Sequence, residues 1–163
     1  MPPKKILFCA DFSENSEPAR QLALDYAKAF GAELLIVHVI ESARFPGYLD
    51  WAGDEMDQIL DRTKESAKQR LDALAAESGP VDKPVKVFCE IGSAANTIVA
   101  LAAKESVDLV VIGTHGRTGV KHLVMGSIAR SVLRMAHRPV LIVEGPTLEA
   151  EEQFTAQEFP PVP

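Results

Sequence analysis

The chain has 163 residues, with 17 Lys plus Arg against 23 Asp plus Glu and a net charge of −6 at pH 7. That length fits one domain, and 47% apolar with 25% charged residues excludes global disorder. The acidic balance and the lack of a dense Lys/Arg cluster speak against nucleic acid as a partner.

No apolar run approaches the ~18 residues of a membrane span, so no membrane association is expected. The opening Met-Pro-Pro-Lys-Lys-Ile-Leu-Phe-Cys-Ala-Asp has no signal-peptide apolar core, which makes a cytoplasmic location the expectation. Cys9 and Cys89 lie in separate apolar runs without C-x-x-C spacing and are expected as two buried free thiols.

Taken in order, Lys5–Ala10 is a short, nearly continuous apolar run, the pattern of a strand buried on both faces. Asp11 and Ser13 break it. Ser16 then offers an N-cap to a helix that carries Glu17 and Pro18 in its first turn and ends at Gly31. Glu33–Ile40 reads as a second buried strand. Residues 41–53 contain Pro46 and Gly47 and form no regular element, yet Phe45, Tyr48, Leu49 and Trp51 make them apolar. Such a loop either packs on its own domain or serves as a lid or partner surface.

Asp54–Ser78 reads as a long helix with an apolar stripe from Met56, Ile59 and Leu60 through Ala67, Leu71 and Leu74, stopped by Gly79 and Pro80. Pro84–Glu90 holds a third strand. Ser93 caps a third helix through Glu105, Asp108–Ile112 is a fourth strand, and a glycine-containing loop leads to a helix from Ser127 to Ala136. Pro139–Val143 is the fifth strand, with proline tolerated in first place. The domain is expected over 1–146, followed by an acidic, proline-containing tail over 147–163.

Five strands alternating with four helices imply right-handed crossovers and a single doubly wound five-stranded parallel sheet, an α/β fold. Ligands of such sheets sit at the carboxyl ends of the strands near the switch point. Here those ends are Asp11, Val39 and the loop opening at Gly113.

That loop reads Gly113-Thr-His-Gly116-Arg-Thr-Gly119-Val-Lys-His-Leu-Val-Met-Gly126-Ser127. Gly113 and Gly116 permit positive φ and a concave nest of amides. Gly126 and Ser127 open a helix whose free N–H groups favour phosphate, and Arg117 is suited to clamp it. Two anion cradles flanking one loop suit a polyphosphate; structural turn glycines are the alternative. No GxxxxGK[ST] occurs, and the first strand is followed by Ala-Asp-Phe-Ser rather than GxGxxG.

The spacing Gly113-x2-Gly116-x9-Gly126-Ser127, with Lys5-Ile-Leu-Phe-Cys-Ala-Asp-Phe-Ser, Ile36-Val-His-Val39 and Arg138-Pro-Val-Leu-Ile-Val143, resembles the ATP-binding branch of the universal stress protein family over residues 3–144. The resemblance implies a Rossmann-like domain similar to the adenine nucleotide alpha hydrolases. It would bind ATP with Mg²⁺ (or Mn²⁺) and pair as a homodimer through the Val140–Val143 edge strand. Carried over, Asp11 would meet the adenosine or metal-phosphate region, and the backbone of Val39 the adenine edge. Gly113, Gly116, Arg117, Gly126 and Ser127 would hold phosphates. Thr114, His115, Thr118 and Gly119 would line the loop, and Ile128 and Ala129 complete the cradle. Cys9-Ala10 replaces the Pro-Thr or Ala-Val of many relatives. The family implies a nucleotide-responsive stress regulator that reports to a downstream protein. A slow ATPase or autokinase, or a nucleotide-independent protective dimer, are the rival readings, and no residue is assigned to catalysis.

Overall fold

A computed structural model of the chain describes residues 1–42, 54–79, 83–114 and 125–145. Most of the loop at 41–53, the stretch from His115 to Val124 and the tail lie outside these. The strands are β1 (Lys5–Cys9), β2 (Glu33–Glu41), β3 (Lys86–Gly92), β4 (Leu109–Gly113) and β5 (Val140–Val143). The helices are α1 (Glu17–Phe30), α2 (Asp54–Glu77), α3 (Ala94–Lys104) and α4 (Ser127–Met135), with a 3₁₀ turn at Glu14–Ser16. All strand pairs are parallel, in the order β3-β2-β1-β4-β5. The expected five-stranded, doubly wound α/β sheet is present.

Alternation along the strands splits the core in two. Leu7, Cys9, Leu35, Val37 and Val110 face α3 and α4, where Ile98, Leu101 and Val132 are buried. Ile6, Phe8, Leu34, Ile36 and Val111 face the other way, onto Ala19, Ala23 and Leu24 of α1 and Leu71 of α2.

Several expectations shift. β3 begins at Lys86, beyond Pro84, and runs to Gly92, because its ladder follows β2 from Leu35↔Lys86 to Glu41↔Gly92. Ile59 is 49% exposed, whereas Leu60, Ala67 and Leu71 are buried. One residue is ~100° of helix, enough to turn Ile59 out of the stripe. Neither Ser16 nor Ser93 caps through its side chain; the Ser16 hydroxyl donates to the Ser13 carbonyl instead, at 2.9 Å. Gly31 closes α1 in the left-handed region, at φ 59°. Cys9 is buried, which pushes its thiol up to about 12, but Cys89 is only half-buried.

The amino-terminal edge of the sheet is pinned by polar contacts. Asp108 accepts the Lys4 and Lys5 amides at 2.8 and 2.9 Å, which lowers its carboxyl pKa. Lys86 lies 2.6 Å from Glu33 and lowers that carboxyl likewise. Arg138 donates to the Val107 carbonyl at 2.6 Å. Asp108 stands at the end of the sheet opposite the candidate site.

Candidate functional site

At the carboxyl edge the ladder continues past β1, with the Ala10 amide donating to the Val37 carbonyl at 2.8 Å. Cys9 pairs with both Val37 and Ile112. Two residues further on, Asp11, Val39 and Thr114 therefore fall in one row across β1, β2 and β4. Asp11 forms an Asx turn, Oδ1 accepting the Ser13 amide at 2.9 Å and the Ser13 hydroxyl at 2.7 Å. That turn aims the chain into the 3₁₀ turn and α1.

Phe12 follows in the left-handed region, at φ 61°. Such a backbone costs a non-glycine residue about 1–2 kcal/mol. Contacts from β2 and α2 hold the ring there. The His38 ring lies 4.2 Å away at 35°, and the Arg70 guanidinium sits 4.1 Å over the ring centroid. Arg70 also donates to the Phe12 carbonyl at 3.4 Å. His38 is buried, its Nδ1 2.7 Å from the Ala10 carbonyl, which as an acceptor places the proton on Nδ1. His38 thus has a structural role, bracing the turn at Phe12.

Beyond β4, the Thr114 amide donates to the Val143 carbonyl at 2.9 Å, and the Thr114 carbonyl accepts the Gly126 amide at 2.7 Å. The start of the glycine loop is thereby tied to the start of α4. Gly126 is the N-cap of α4, and the first helical bond there runs from the Arg130 amide to its carbonyl. Helix geometry leaves the amides of Ser127, Ile128 and Ala129 without an intrahelical acceptor, a set suited to anionic oxygens. Ala129 is only 2% exposed and its side chain belongs to the core, so it presents no side-chain surface to a ligand.

A cleft of about 470 Å³ opens between the β2 end, α2 and α4, with Val39, Ala94 and Ile128 on one side and Thr63 and Ser66 on the other. The structure thus brings Val39 and Ile128 to one cavity, with Gly126 and Ser127 at the adjoining helix start. Gly113 ends β4 beside Thr114. His115, Gly116, Arg117, Thr118 and Gly119 lie outside the described residues. The α2 wall was not foreseen. Its signal is the i, i+4 spacing of Arg62, Ser66 and Arg70 beside the apolar stripe, a pattern that any solvated helix face also shows. Among the described residues, no group of three or more His, Cys, Asp or Glu side chains could hold a metal ion, and no helix is long and apolar enough to cross a membrane.

A doubly wound parallel sheet with an anion-ready helix start beside its switch point defines the class. The chain belongs to the universal stress protein family, whose model matches residues 2–144. It is 34% identical over 149 residues to the universal stress protein MJ0531 of Methanocaldococcus jannaschii, covering 90% of this chain and 85% of that one. The solved structure of MJ0577, a universal stress protein of the same organism, superposes with a TM-score of 0.79 at 28% identity, covering 88% of this chain and 96% of that one. The universal stress protein from Archaeoglobus fulgidus, solved in complex with dAMP, shares the fold with a TM-score of 0.60 at 22% identity, covering 88% and 100%.

Proposed function

We propose that this universal stress protein binds ATP, with Mg²⁺ or Mn²⁺ carried on the phosphates, and acts in the cytoplasm as a nucleotide-responsive regulatory homodimer. The Thr114–Gly126 hydrogen bond carries the reading. It draws the two ends of the glycine loop together beside the row of Asp11 and Val39, where one ligand would meet both anion cradles. Adenine would rest in the cleft at Val39 and the phosphates on Gly113, Gly116, Arg117, Gly126 and Ser127, with Asp11, Thr114, His115, Thr118 and Gly119 around them. The donors fit a polyphosphate: helix-start amides, a hydroxyl at Ser127 and a guanidinium at Arg117. The dAMP complex of the Archaeoglobus relative accords with the choice of adenine. Binding confined to the folded form would raise its stability by roughly RT ln(1 + [ATP]/Kd), the means by which a regulator registers its ligand.

The dimer would form through β5, whose outer edge has no strand neighbour in the described sheet. Calorimetric titration of nucleotide-stripped protein with Mg-ATP, beside Gly116→Val, tests the nucleotide reading. Binding by wild type that is lost in the variant is the expected result. No heat from stripped, folded wild type would overturn it.

A further inference from the structure

Two cavities meet at the carboxyl edge of β1. The first is the 470 Å³ cleft on the Val39 side. The second is a groove of about 590 Å³ between α1 and α2, floored by Phe8 and Ala10 and walled by Pro18 and Leu74. Phe12 and Arg70 are the residues that line both. They are also in mutual contact, guanidinium over ring at 4.1 Å, with the side-chain hydrogen bond to the Phe12 carbonyl fixing the turn beneath. The ring and the guanidinium thus stand where the two cavities adjoin.

We propose that the Phe12–Arg70 pair is a partition that sets the size of the base pocket and so restricts it to an unsubstituted adenine. This rests on the adenine-nucleotide reading of the cleft. Its physical basis is the way the ring is held. The left-handed backbone of Phe12 fixes the direction in which the ring leaves the chain. His38, itself anchored to the Ala10 carbonyl, supports one side, and Arg70 covers the ring from α2. A ring gripped in this way cannot swing aside for a larger base without breaking a stack and moving the turn that carries Asp11. Removing either member joins the cleft to a groove with an apolar floor, room suited to a hydrophobic substituent on the exocyclic amine of the base. Arg70 is exposed on a helix and touches the partition through its side chain alone, so its loss leaves the core of α2 intact.

The test is competitive binding of ATP and N6-benzyl-ATP to wild type, Arg70→Ala, Arg70→Lys and Phe12→Gly. Glycine accepts the left-handed backbone at position 12, so that variant keeps the turn while deleting the ring. The expected result is a preference of wild type for ATP. That preference shifts toward the benzyl analogue by at least about tenfold in Arg70→Ala and Phe12→Gly, the scale on which pocket volume discriminates. Arg70→Lys, which keeps a cation over the ring, shifts less. If both ligands weaken equally in the variants, the pair only supports the turn and the partition is refuted. An unchanged ratio refutes it as well. Wild type that binds neither ligand instead refutes the adenine-nucleotide reading, and the partition falls with it.

Discussion

The carbonyl of Thr114 accepts the amide of Gly126 at 2.7 Å, across a sequence gap filled entirely by the glycine loop. The amide of Thr114 is held from the opposite side by Val143. One residue, through its two flanking peptide groups, thus joins the ends of β4 and β5 to the start of α4. Gly126 has φ −53°, a value proline adopts without strain. Gly126→Pro suits the φ value but removes the amide donor and drives its ring Cδ against the Thr114 carbonyl oxygen. It should lower stability by about 3 kcal/mol or more and weaken ATP binding. Urea unfolding and calorimetry measure the two effects; unchanged affinity would detach the bond from the ligand site.

Two helices end on non-glycine residues in the left-handed region. After α3 comes Ser106 at φ 55°, its amide donating to Ala103 and the next amide, of Val107, to Ala102. After α4 comes His137 at φ 46°. Glycine is the residue that suits this position. Ser106→Gly should therefore stabilise the fold by about 1 kcal/mol, and His137→Gly by a similar amount. Both gains would appear as higher denaturant midpoints with unchanged slope.

Asp108 ties the start of β1 to the start of β4 through two amides. Its pKa is lowered in the folded state, first by the Lys4 amide and then by the Lys5 amide. The stabilisation is therefore full above the unfolded carboxyl value of ~3.9 and is lost as pH falls through the folded one. Asp108→Ala should cost about 1 kcal/mol at pH 7, a modest figure for an exposed carboxylate. Melting temperatures of the two proteins should converge on acidification; a gap that persists in acid would contradict the account.

Gly145 lies against the 3₁₀ turn that follows Asp11. A Cβ there would stand 2.7 Å from the Asn15 carbonyl oxygen and 2.9 Å from its Cα. Both are backbone atoms that cannot move aside cheaply. Gly145→Ala should cost about 1–3 kcal/mol, the range for overpacking, seen as a lower melting temperature.

The proposed dimer offers a sharp test. Pro139 and Val143 direct their carbonyls at β4, accepting from Val110 and Thr114. By alternation, Val140 and Ile142 turn their main-chain groups to the free edge. Ile142→Pro would remove an outward donor and no bond to β4. Light scattering should show wild-type dimers and variant monomers, with circular dichroism confirming the fold. A monomeric wild type would remove β5 as the interface.

The strands were legible in the sequence because buried parallel strands are short apolar runs, with Asp11, Val39 and Gly113 read at their carboxyl ends; β2 runs on to Glu41, because its ladder with β3 continues to Gly92. Gly31 announced the end of α1. The ends of α3 and α4 were not marked in this way, since Ser106 and His137 adopt the glycine conformation without being glycine. The start of β3 was misplaced because pairing with β2, not the composition of Pro84 and Val85, selects its residues. Least legible was Arg70 over Phe12. The two are 58 positions apart, and a helix stripe says which residues are buried, not which distant turn they cover.

The two sulfurs are chemically unequal. Cys9 is fully enclosed with its thiol pushed up to about 12, while Cys89 is half-buried on β3, its Sγ 4.0 Å from the Lys64 carbonyl of α2. A thiol-directed fluorophore under native conditions would therefore mark Cys89 alone. The wild-type chain carries its own single attachment point, on the seam between β3 and α2, one helix away from the cleft. Movements of α2 could be followed by spectroscopy from there without altering one residue of the protein.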